Sequence, residues 1–80
     1  MKRTIYSKEN QYFLDLMIQA RLKAGVTQAE LAKRLEKPQS FVSKYEKGER
    51  RLDVMEFVTV CAALGVDSRK IFNKVLKLVG

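Results

Sequence analysis

Between Lys37 and Leu52 the chain reads KPQSFVSKYEKGERRL. At helical spacing, Gln39, Ser40, Ser43 and Lys44 share one face, and every one of them carries hydrogen-bonding atoms. These side-chain types suit the reading of base edges. Gln pairs bidentately with adenine N6/N7, Lys donates to guanine O6/N7, Ser donates or accepts, and Phe41 can lie against a thymine methyl. Lys37, Lys47, Arg50 and Arg51 surround the stretch. Such cations supply the salt-sensitive, sequence-independent part of nucleic-acid affinity. The bland alternative is a solvated helix face, since polar residues are mostly exposed in any protein. Val42 and Tyr45 are then the narrow edge that holds this helix to a core.

Composition supports an anionic partner. Sixteen Lys and Arg against nine Asp and Glu give a formal charge of +7 over 80 residues. The balance favours nucleic acid first and a membrane surface second. Basic residues run through the whole chain rather than forming a tail, so any binding face must come from folding. A chain of this length buries a small core, which favours a binding module without catalysis over an enzyme cleft. Histidine is absent and Cys61 is the lone cysteine. That excludes an internal disulfide and a Cys/His zinc site, and no cofactor is expected. No apolar run approaches a membrane span and no secretory signal is visible, so a cytoplasmic protein is expected.

The elements that would position these residues are all helical. V-T-Q-A-E-L sets Thr27 as N-cap with Glu30 three residues on, a capping box. L-D-V-M-E-F repeats it with Asp53 and Glu56, and V-D-S-R-K-I keeps the cap Asp67. The pattern predicts helices over about 8–23, 28–35, 39–47, 54–64 and 68–78, with Ser7 capping the first and Gly25, Gly48 and Gly65 ending three of them. Phe13, Leu14, Met17, Ile18 and Leu22 are the expected stripe of the first helix, and Leu31, Ala32 and Leu35 that of the second. Val54, Phe57, Val58, Cys61, Ala62 and Leu64 are expected inward on the fourth. Ile71, Phe72 and Val75 are expected to pack on the fifth, with Leu76, Leu78 and Val79 in excess of what one small domain buries. The second and third helices are separated only by Glu36-Lys37-Pro38, which is helix-turn-helix spacing.

Residues from about 21 to 66 resemble the phage Cro/repressor, or Xre-type, helix-turn-helix regulators. The resemblance is carried by R-x-x-x-G-V-T-Q-A-E-L-A-K-R-L, then P-Q-S-F-V-S-K-Y-E-K-G-E-R-R-L, then A-x-x-L-G-V. It implies an all-α, compact five-helix bundle whose second helix-turn-helix element lies in the DNA major groove. It implies base-facing positions at Gln39, Ser40, Ser43 and Lys44. Thr27 and Gln28, opening the second helix, fall where the family approaches phosphate. Lys37, Lys47, Arg50 and Arg51 are expected along the backbone. Arg21 and Glu46 fall where many members form a structural ion pair. Two positions depart from the pattern. Glu36 stands where the family often has a left-handed Gly, at a cost of about 1 kcal/mol. Pro38 replaces the usual Ser/Thr cap, which forgoes about 1 kcal/mol of capping.

The expected protein is one domain over 1–80, with the helix-turn-helix at about 27–47 and the helix at about 68–78 as a candidate dimer contact. It is expected to bind double-stranded DNA as a homodimeric repressor on a near-palindromic site, with half-site centres about 34 Å apart. No separate effector or dimerisation domain is expected. Two other classes stay open. An antitoxin or controller-type protein would bind both DNA and a protein partner through the last helix. A peripheral membrane module would use Lys70, Lys74 and Lys77 beside an apolar face.

Overall fold

The computed structural model describes residues 7–79, of which 7–78 are described with their side chains. Five helices run α1 Lys8–Lys23, α2 Gln28–Leu35, α3 Gln39–Lys47, α4 Val54–Leu64 and α5 Ser68–Val79, and there is no strand among the described residues. Residues 1–6 and 80, counted in the expected 1–80 unit, lie outside the described part, as does the side chain of Val79.

The start signals form as the sequence predicts. Thr27 Oγ1 accepts from the Glu30 amide at 3.0 Å while the Thr27 amide donates to Glu30 Oε1 at 3.1 Å. Asp53 and Glu56 close the same reciprocal box at 2.7 and 2.9 Å. Ser7 accepts from the Asn10 amide, and Asp67 from the Arg69 amide. Pro38 caps α3 with no side-chain bond.

The helix ends share one device. Gly25, Glu36, Gly48 and Gly65 take φ of 71°, 57°, 80° and 72°. The amide that follows each of them, on Val26, Lys37, Glu49 and Val66, folds back onto the carbonyl of Arg21, Ala32, Lys44 or Cys61. This closure satisfies carbonyls that the helix end would leave unpaired. Glu36 makes it in a left-handed conformation that its Cβ disfavours.

The core gathers Leu14, Met17, Val26, Leu31, Ala32, Val42, Tyr45, Val60, Cys61, Leu64 and Ile71. Helix α1 packs on α3 and α5, α2 on α3 and α4, and α4 on α5. Burial pushes the Cys61 thiol up to about 11, which leaves it protonated and inert.

Three expected stripes are corrected. On α1, Leu22 is 54% exposed, and Leu16 and Ala20 pack on the core instead. On α4, Val54 and Val58 are 75% and 43% exposed and Ala62 is exposed, while Val60 is buried. The α4 sequence VMEFVTVCAAL is apolar nearly all round, so its periodicity selects no unique face; the packing of α2 and α5 does. On α5, Ile71 is buried but Phe72 is 53% exposed.

Candidate nucleic-acid interface

Helix α3 is held by one edge. Val42 and Tyr45 are fully buried, and they fix its orientation on the bundle. Gln39, Ser40 and Lys44 stand exposed on the other side. Ser43 is half-buried, its Oγ 3.4 Å from the carbonyl of Ser40. The four polar residues singled out from the sequence therefore share one face, and it projects away from the core.

A carboxylate at the C-terminal end locks this helix to two others. Glu46 accepts from Arg21 Nε at 2.7 Å and Nη2 at 3.1 Å, and from Gln28 Nε2 at 2.9 Å. Arg21 Nη1 also donates to the Val26 carbonyl at 2.9 Å. The Arg21 and Glu46 side chains are only 11% and 6% exposed. The Glu46 hydrogen bonds hold the Arg21 guanidinium above its ordinary pKa, against the opposing effect of burial. One acidic group thus joins α1, the start of α2 and the end of α3. Gln28 is half-buried and bound to Glu46 as well as standing at the helix start, a tie that sequence reasoning missed. Its signal is a contact 18 positions apart, which no local spacing shows.

The far side of α3 carries a second latch. Arg50 donates from Nη1 to Glu56 Oε1 at 2.9 Å and from Nη2 to Oε2 at 2.7 Å, a bidentate pair. Nη1 also donates to the Arg51 carbonyl. The guanidinium lies 4.7 Å from the Phe41 ring centroid, and Lys37 Nζ lies 5.5 Å from it. Phe41 meets Tyr45 edge-on at 5.7 Å. Two residues singled out from the sequence meet here. Phe41 belongs to a packed cluster rather than standing free for a thymine methyl. Arg50 is paired with Glu56 and lies over Phe41, with its side chain still 40% exposed. Glu56 closes the α4 capping box and receives Arg50; these hydrogen bonds, the Arg50 one first, hold its carboxyl down at about 2.

Thr27, assigned to phosphate from the sequence, has its hydroxyl tied into the capping box with Glu30. Lys37, Lys47 and Arg51 are exposed around α3. Glu36 and Glu49 are exposed at its two ends and set a negative limit to the positive face. Arg34, which sequence reasoning passed over, donates to the Ala63 carbonyl at 2.8 Å and ties α2 to α4. Among the described residues there is no cluster of His, Cys, Asp and Glu suited to a metal ion, and no helix long and apolar enough to cross a membrane.

Two short helices joined by a tight left-handed turn, the second exposing a polar face, define a helix-turn-helix protein. The helix-turn-helix family model matches residues 17–71. The chain is 48% identical to an XRE-family like protein from Pseudomonas syringae pv. tomato str. DC3000, with a TM-score of 0.87 over 96% of this chain and 94% of that one. It is also similar in fold to a point mutant of the restriction-modification controller protein C.Esp1396I, with a TM-score of 0.77 at 23% identity, over 91% of this chain and 92% of that one. No curated protein sequence matches it. The chain belongs to the XRE-type, or Cro/C1-type, family of helix-turn-helix DNA-binding proteins.

Proposed function

We propose that the protein is a sequence-specific transcriptional regulator, acting as a small repressor that binds a near-palindromic operator as a dimer. The observation that carries this is the division of α3: Val42 and Tyr45 wholly buried, Gln39, Ser40 and Lys44 exposed. Gln39, Ser40, Ser43 and Lys44 read base edges in the major groove. Thr27, Gln28, Lys37, Lys47 and Arg51 follow the phosphates, the first two by setting the start of α2, where the helix dipole favours an anion. Arg50 contributes by holding the α3–α4 loop and Phe41 in place.

Dimer formation is supported by an apolar surface on the last two helices. Val54, Val58, Phe72 and Leu76 are between 43% and 75% exposed. The molecule measures 35 × 24 × 20 Å, so two copies side by side suit half-sites about one helical turn, ~34 Å, apart. The second reading, a controller or antitoxin-type protein, places a partner protein on that same surface, and these exposed side chains favour it equally. Selection of bound duplexes from a random pool, followed by footprinting, tests the proposal. An inverted repeat protected over two half-sites is expected. Binding without sequence preference would overturn it.

A further inference from the structure

A trough of about 480 Å³ lies between the C-terminal half of α1, the α4–α5 turn and the first turns of α5. Its floor is apolar: Leu16, Ala20, Leu64, Val66 and Ile71, all buried or half-buried. Its walls are two helical pairs one turn apart, Gln19 with Lys23 on α1 and Lys70 with Lys74 on α5, all exposed. No carboxylate lines it. The nearby Asp67 is paired with Arg69, and no ion pair engages the three lysines among the described residues.

The trough is separate from both surfaces described above. Arg21, which holds α3 through Glu46, lies two residues from Gln19 and from Lys23, about 200° around α1. Phe72, on the exposed apolar surface, lies two residues from Lys70 and from Lys74, again about 200° around α5. Its charge also selects its occupant. A second copy, in the dimer proposed above, takes the opposite flank of α5 around Phe72 and Leu76. Nucleic acid offers phosphates for the walls but nothing for an apolar floor. An amphipathic helix with an apolar ridge and Asp or Glu on both flanks matches floor and walls together.

We propose that this trough docks an acidic amphipathic helix of a partner protein, on the side of the molecule away from the α3 face. The proposal does not rest on the DNA-binding reading, and it gives the protein a second, simultaneous contact.

The test uses the full chain labelled with ¹⁵N and a short synthetic helical peptide with a Leu ridge flanked by Glu. Amide shifts are expected at Leu16, Ala20, Val66 and Ile71, with none along α3. Lys70→Glu combined with Lys74→Glu should weaken peptide binding about tenfold or more, since exposed charge pairs contribute modestly and each is here reversed. Lys23→Glu should act in the same direction, and the spectrum of each variant reports its folding. Four outcomes would overturn the proposal. These are no shifts in the trough, equal binding of a scrambled peptide, shifts confined to α3, or preferential occupancy by anionic vesicles. Duplex binding measured on the same samples is a separate readout, so failure of one proposal leaves the other standing.

Discussion

Each side chain on α3 belongs to one of two populations, and substitutions should separate them. Gln39 is exposed and faces outward. Gln39→Ala is expected to leave the melting temperature nearly unchanged, weaken operator binding by about 1–3 kcal/mol and relax preference at one or two positions. Selected-site sequencing of the variant checks this; an unchanged consensus would remove α3 from the groove. Glu56, on α4, acts on the other side of this division, since it holds Arg50 against Phe41 of α3. Its carboxyl sits at about 2 in the folded protein, below its ordinary 4.5, because Arg50 and the Asp53 amide bind its charged form. A lowered folded pKa gives stability that is full above about 4.5 and lost as pH falls toward about 2. Wild type is therefore expected to lose stability through that acid window, and Glu56→Gln to flatten this part of the profile. Denaturant melts at stepped pH measure it.

The helix-turn-helix is assembled from short elements, and its stability rests on their junctions. Glu46 is the acceptor that joins three helices, so Glu46→Ala leaves Arg21 and Gln28 without it. Removing one member of a largely buried pair is costly, and a loss of about 2–4 kcal/mol is expected in urea unfolding. Glu36 ends α2 at φ 57°, where glycine meets no Cβ penalty. Glu36→Gly is expected to raise stability by about 0.5–1 kcal/mol, since the relieved strain exceeds the added freedom of the unfolded chain. The same change removes a negative charge beside α3, so duplex affinity at low salt should rise with it. Calorimetry and a salt titration of binding check the two effects separately.

At the scale of the whole molecule, α5 is amphipathic in an unusual sense. Ile71 faces the core, Lys70 and Lys74 line the basic trough, and Phe72 and Leu76 lie exposed on the other flank. Phe72→Glu combined with Leu76→Glu should abolish the proposed dimer while leaving the core intact. Sedimentation should then report a monomer, and operator affinity should fall about a hundredfold as the linked half-site contacts are lost. A dimer that persists in this variant would place the contact elsewhere.

Fold class and element boundaries are legible in the sequence because they are local. The capping boxes at Thr27 and Asp53, the glycines after α1, α3 and α4, and the three-residue turn before Gln39 are spacing effects within a few residues. The outward face of α3 was legible for the same reason: Val42 and Tyr45 at helical spacing leave one choice of inside. What stayed hidden depended on partners far along the chain. Arg50 reads from sequence as a phosphate ligand; its pairing with Glu56 and its contact with Phe41 form only once the α3–α4 loop closes. Gln28 meets Glu46 only after α2 docks on α3. Helix α4 has apolar residues on every side, so its buried face is set by α2 and α5. The basic trough joins α1 to α5 across most of the chain and has no local pattern at all. Sequence by itself determined the helices, their ends and the face of α3. Tertiary structure decided which charges remain for a ligand, since a cation is available only where folding brings no carboxylate to it.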